Sequence, residues 1–288
     1  MSIFYSEELK KELYDVYDSF MEKLGIPYED IYATTRYGKL HMVKTGDPNG
    51  KPLLIYPGFN VTAPFQLIFC DFFLKDYCCY GVDIIGHPGK SEERIVKGKR
   101  SVYGNMVNDA LENMGLDSVY AFASSLECGM LSDLMAVAPK KVKKAVFYVP
   151  AIIKGNRFIQ AKWFMYKKLG TFFNSERYLK KADFLMAQTD DYANDTERLA
   201  ATTTLKCMKE ALIYKLPRPK DVKECNAQSL LLMGELDKFF PQKMVLKAAP
   251  DILKNYESYV MKGRGHIGYM SEECKQYTLD FLAKPDFE

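Results

Sequence analysis

Apolar residues along positions 6–24 fall at Leu9, Leu13, Val16, Tyr17, Phe20 and Leu24, mostly three or four apart. That spacing predicts an amphipathic helix, which Gly25 and Pro27 stop. The period then shortens to two. Short strands are expected near 30–35 and 40–45, divided by Tyr37-Gly38 as a hairpin turn. Asp47-Pro48-Asn49-Gly50 is a strong turn signal. Continuous apolar runs at 53–56, 80–83, 118–122, 142–149, 229–233 and 256–261 have the character of strands buried on both faces. Helical patterns at 65–74, 102–114 and 127–138 lie between them. Strands alternating with helices imply a doubly wound, mostly parallel α/β sheet.

The alternation breaks over 152–222. That stretch is helical in character and carries Phe158, Trp163, Phe164, Tyr166, Phe172, Phe173, Tyr178 and Phe184. It is too long for a loop, so it must fold as its own element between two sheet strands, with Pro217-Arg218-Pro219 ending it. The expected organisation is an N-terminal helix over 1–29, a core from 30–151 and 223–288, and a helical cap over 152–222.

Composition narrows the functional classes. A chain of 288 residues with 48% apolar and 14% aromatic content buries a large core and is not disordered. Forty basic against 37 acidic residues leave a net charge of +3, which gives no case for a nucleic-acid or membrane-surface partner. The basic runs Lys140-Lys141, Lys143-Lys144 and Lys167-Lys168 fit solvated helix ends. Seven cysteines form no C-x-x-C, as expected of free buried thiols in a reducing compartment. No apolar stretch follows a basic start and no run approaches a membrane span, so a soluble cytoplasmic protein is expected. Scattered histidines and cysteines predict no metal site, and the absence of a glycine-rich phosphate loop predicts no nucleotide cofactor.

The chain has only three histidines, His41, His87 and His266. His266 follows an apolar run and sits between Gly265 and Gly268, where a strand hands over to a loop. Upstream, Ser125 follows the strand 118–122 and precedes a helix, so a sharp turn would lift its hydroxyl. A serine hydroxyl is a weak nucleophile at neutral pH and needs a base in reach, with an acid orienting that base. Glu235 and Asp237, after the strand 229–233, are the candidate acids. Tyr56-Pro57-Gly58-Phe59-Asn60 ends the first buried strand, where a glycine turn can aim amides at an oxyanion. His41, in an edge hairpin, and His87, in a Gly-Pro loop, are expected to be structural.

Taken together, the order Ser125, Asp237, His266 and the glycine-rich loops at 56–60, 83–91, 234–237 and 263–268 resemble the α/β-hydrolase superfamily. The likeness is to its small, cap-bearing serine carboxylesterases, over roughly residues 30–285. It implies Ser125 as nucleophile, Asp237 as acid, His266 as base, and the backbone amides of Phe59 and Leu126 as the oxyanion hole. It also implies a small-molecule ester substrate and no cofactor. Ligands bind at the C-terminal edge of such sheets, so Trp163, Phe164 and Phe172 are expected to wall an apolar pocket favouring apolar acyl or aromatic esters. Two positions depart from the G-x-S-x-G pattern. Ala123 replaces the first glycine, and Glu127 replaces the second. Glu127 could crowd the turn, weaken charge stabilisation there, or pair harmlessly with a basic group. An impaired, ligand-binding member of the fold is the alternative, and thioesterase, lactonase or peptidase chemistry would use the same three side chains.

Overall fold

A computed structural model of the chain describes residues 2–58, 61–96, 100–189, 195–209 and 219–287. Helix α1 (Glu7–Leu24) starts where Ser6 caps the Leu9 amide, and it ends at Gly25 in a left-handed conformation. Strands β1 (Tyr28–Thr35) and β2 (Gly38–Gly46) form an antiparallel hairpin in which Thr35 pairs with Gly38. The tight turn is therefore Arg36-Tyr37, one residue earlier than the sequence suggested.

Six further strands follow: β3 (Lys51–Tyr56), β4 (Tyr77–Asp83), β5 (Val119–Ser124), β6 (Val142–Tyr148), β7 (Gln228–Gly234) and β8 (Asn255–Met261). The sheet order is β1-β2-β4-β3-β5-β6-β7-β8, antiparallel at β1, β2 and β4 and parallel thereafter. Successive side chains split between two cores because a strand alternates its faces. Leu54, Tyr56, Ala121, Ala123, Leu231 and Met233 pack on one side. Helices α3 (Val102–Asn113), α4 (Glu127–Val137) and α9 (Gln242–Ile252) cover them. Leu53, Ile55, Tyr120, Phe122, Leu230 and Leu232 pack on the other. Helices α1, α2 (Ala63–Phe69) and α10 (Glu272–Ala283) cover that side. The helix expected over 65–74 ends early: at Cys70 the bonds tighten to a short 3₁₀ turn, with Phe73 N–H on Cys70 O at 3.0 Å.

Between β6 and β7 the chain forms α5 (Arg157–Phe172), α6 (Glu176–Ala187), α7 (Asp195–Cys207) and α8 (Pro219–Val222). Pro217 and Arg218 lie outside the described residues, and Pro219 begins α8 rather than closing the insertion. Helices α5 and α6 pack tightly: a Cβ on Gly170 would meet the Leu179 side chain at 2.6 Å. All seven cysteines are free and buried. Among the described residues no helix is long and apolar enough to cross a membrane.

Candidate active site

Ser125 stands between β5 and α4 with φ of +52°, a left-handed conformation that costs a non-glycine residue about 1–2 kcal/mol. Three backbone bonds hold it there. Its N–H donates to Tyr148 O at 2.8 Å, and its carbonyl accepts from Ala151 N–H at 3.0 Å and Cys128 N–H at 3.2 Å. The neighbouring Val149 also has a positive φ, +42°, which is rare for a β-branched residue. Its N–H is tied to Leu232 O at 2.8 Å. The end of β6 is thus strained in order to brace the serine turn, a feature with no local signal in the sequence.

Ser125 Oγ lies 2.7 Å from His266 Nε2, and His266 Nδ1 lies 2.8 Å from Asp237 Oδ2. The other carboxylate oxygen, Oδ1, accepts from the amides of Phe239 at 2.7 Å and Phe240 at 2.9 Å. The rings of those two residues flank the imidazole, Phe239 stacked at 5.3 Å and Phe240 tilted at 5.4 Å. One turn therefore fixes the carboxylate through its amides and the imidazole through its rings. Imidazole and carboxylate are buried while the serine is partly exposed, so a proton can pass from Oγ to Nε2 at a solvent-reachable hydroxyl.

Glu235, the other candidate acid, makes a different contact. It accepts the Gly263 amide at 2.8 Å and so steadies the loop carrying His266. That loop is tied further by His266 N–H on Met186 O at 2.6 Å and by Tyr148 O–H on Gly268 O at 2.8 Å. Met186 belongs to α6, so the inserted helices meet the His266 backbone directly. A Cβ on Gly265 would clash with the Met186 and Ala187 carbonyl oxygens, which leaves room there only for glycine.

Leu126 is the N-cap residue of α4, where the leading amides lack acceptors within the helix. Phe59 lies outside the described residues. Gly58, just before it, approaches the serine turn: a Cβ there would lie 3.8 Å from Ser124 Cβ. Glu127 is buried in the first turn of α4, and its Oε2 has no hydrogen-bond partner among the described residues. Burial lifts its carboxyl well above the usual range, which favours the neutral acid.

The three expected pocket aromatics separate. Trp163 turns inward, its ring edge-on to Phe239 at 6.1 Å and its Nε1 buried without a partner among the described residues. Phe164 and Phe172 lie on the outer face of α5, and Phe172 is 82% exposed. The phase of the helix explains this. Trp163, Lys167 and Gly170 meet Phe239, Asp183 and Leu179, which sends positions 164 and 172 outward. His87 is buried against Tyr103 O–H at 3.2 Å, and burial lowers its pKa to about 4. Among the described residues no His, Cys, Asp and Glu cluster could hold a metal.

The mostly parallel eight-stranded sheet, with its strained serine turn after β5, has the α/β-hydrolase fold. No protein-family model matches the chain. The relatives it resembles are carboxylesterases. It is 23% identical over 279 residues to carboxylesterase YbfK of Bacillus subtilis (strain 168), spanning 93% of each chain. To the uncharacterized carboxylesterase nap of the same organism it is 24% identical over 276 residues, 90% of this chain and 87% of that one. The crystal structure of carboxylesterase CesB (YbfK) from Bacillus subtilis matches with a TM-score of 0.80 at 19% identity, over 96% of this chain and 99% of that one. The naproxen esterase (carboxylesterase NP) structure from the same organism gives the same TM-score, identity and coverage.

Proposed function

We propose that the protein is a cytoplasmic serine carboxylesterase in which Ser125, His266 and Asp237 act as one unit. The observation that carries this reading is the 2.7 Å contact between Ser125 Oγ and His266 Nε2, backed by the 2.8 Å contact to Asp237. His266 takes the Oγ proton as the serine attacks the ester carbonyl. The resulting oxyanion is held by the Leu126 amide and, as the family resemblance implies, by that of Phe59. Collapse of the intermediate expels the alcohol, which receives the proton from His266. Water then attacks the acyl-enzyme, again with His266 as base, and releases the acid. The helices between β6 and β7 form a cap. Trp163, Phe239 and Phe240 provide an apolar wall beside the base, suited to apolar acyl or aromatic esters.

The test is Ser125→Ala. Hydrolysis of short p-nitrophenyl esters should fall by several orders of magnitude with the circular dichroism unchanged, because removing one member disables the whole unit. A fluorophosphonate probe should label the wild type at Ser125. Turnover retained in the variant, or a folded wild type that the probe leaves unlabelled, would refute the assignment and favour a ligand-binding member of the fold. For the wall, Trp163→Ala should raise KM for an apolar acyl ester about tenfold more than for an acetate ester. Equal effects on the two esters would remove Trp163 from the pocket.

A further inference from the structure

We propose that the outer face of the hairpin formed by α5 and α6 docks on an anionic phospholipid surface. The near-even net charge argues against such a partner only when averaged over the whole chain. Residues 157–187 hold seven lysines and arginines against two acids, Glu176 and Asp183, which leaves the remainder slightly acidic. The basic residues Arg157, Lys168, Arg177, Lys180 and Lys181 are exposed. Between them lies an apolar stripe facing the wrong way for a core. Phe158, Met165 and Phe172 are seven residues apart on α5, hence on one face, and all three are exposed, Phe158 by 75%. Phe173, at the tip of the hairpin, is 63% exposed, and Phe184 on α6 is exposed as well.

Charge decides what covers this face. A second copy of the chain would set one basic rim against another, whereas anionic headgroups complement it while the aromatic rings enter the acyl boundary. Lys168 already has the required posture, its Nζ 4.4 Å from the Phe164 ring centroid with the stem along apolar surface. No described helix could span a bilayer, so the contact is peripheral. The same hairpin holds the His266 amide through Met186 O, so a docked surface would lie against the cap over the serine.

Co-sedimentation of the full-length protein with vesicles tests this independently of any hydrolytic activity. Wild type should bind phosphatidylcholine vesicles containing phosphatidylglycerol, bind plain phosphatidylcholine at least tenfold more weakly, and be released by high salt. Phe158→Ser with Phe173→Ser, and separately Lys180→Glu with Lys181→Glu, should each weaken binding about tenfold. All four positions are exposed, so both variants should fold and should hydrolyse a short water-soluble ester at the wild-type rate. No binding to the anionic vesicles, or binding that neither variant weakens, would overturn the proposal. So would a wild-type dimer in gel filtration that Phe158→Ser with Phe173→Ser splits, since that would put a second copy on the face.

Discussion

His41 and His266 have the same first contact and opposite surroundings. Each is buried with Nδ1 2.8 Å from an aspartate Oδ2, Asp83 for His41 and Asp237 for His266. They differ at the other nitrogen. His266 Nε2 faces the Ser125 hydroxyl at 2.7 Å, a neutral group that can give up a proton. His41 Nε2 faces a second carboxylate, Asp30 Oδ1, at 2.8 Å. Burial pushes the His41 pKa down, but the hydrogen bonds and charges of Asp83 and Asp30 outweigh it, and the net shift is upward. Its aspartate is held more firmly too. Asp83 also accepts from Tyr17 O–H at 3.0 Å, Ala63 N–H at 3.2 Å and Lys90 N–H at 2.9 Å, joining α1, α2, β4 and the loop after β4. A His–Asp pair is therefore not a site in itself. What separates the two pairs is the partner of the second nitrogen, a hydroxyl at His266 and a carboxylate at His41.

The largest effect expected from breaking this contrast is on the side proposed to be catalytic. Asp237→Asn should lower kcat by about four orders of magnitude, since the imidazole loses the acceptor that fixes its tautomer. Stability should change little, because the Asn carbonyl can still take the Phe239 and Phe240 amides. Steady-state kinetics on a p-nitrophenyl ester and a thermal melt on the same sample check both halves. A loss under tenfold would mean that Asp237 does not orient the base.

On the structural side the expected effect is large in stability and absent in rate. His41→Leu strands the Asp83 carboxylate in the interior and should cost about 3–5 kcal/mol in urea unfolding. Per folded molecule the ester hydrolysis rate should stay at the wild-type level. Adding Asp83→Asn should recover part of the loss if the stranded charge is the cause, and none of it if packing is.

Some of this was legible in the chain. The buried strands appear as apolar runs because both of their faces are covered, and Ser125 and Asp237 each follow such a run. Strand β8, before His266, was expected to be buried on both faces but is an edge strand of mostly half-exposed residues, since no further strand covers it. The supports were not legible. The Phe239 and Phe240 rings reach His266 across a turn whose geometry is set by the amides on Asp237, and Met186 lies 80 positions from the residue it holds. The lysine pairs do not all lie on solvated helix ends. Lys144 is not on a solvated helix end. It lies in β6, fully buried, with Nζ donating to Leu282 O at 2.8 Å. Lys167 is mostly buried, 2.9 Å from Asp183. Sequence shows that a residue is basic, whereas burial depends on which chain end or helix arrives beside it. The inward phase of α5 likewise follows from Leu179 and Phe239, which no period within α5 specifies.

The smallest expected effect is the most diagnostic of why His41 differs from His266. A histidine whose pKa is higher folded than unfolded binds its proton more tightly in the native state. Its stabilisation is then fully present below the unfolded value of about 6.5 and is lost as pH rises through the higher folded value. Asp30→Asn removes one of the two carboxylates that raise it, so the folded pKa should fall towards the unfolded one. The side chain of Asp30 is 40% exposed, and solvent screening should hold the cost to about 1 kcal/mol. That cost should be visible at pH 5.5 and shrink towards zero above the folded pKa. Melting curves of wild type and Asp30→Asn from pH 5.5 to pH 9 measure the difference directly, with other titrating groups cancelling between the two proteins. A gap that stayed constant or widened with rising pH would mean that His41 is neutral in the fold, and that its second carboxylate acts only as a hydrogen-bond acceptor.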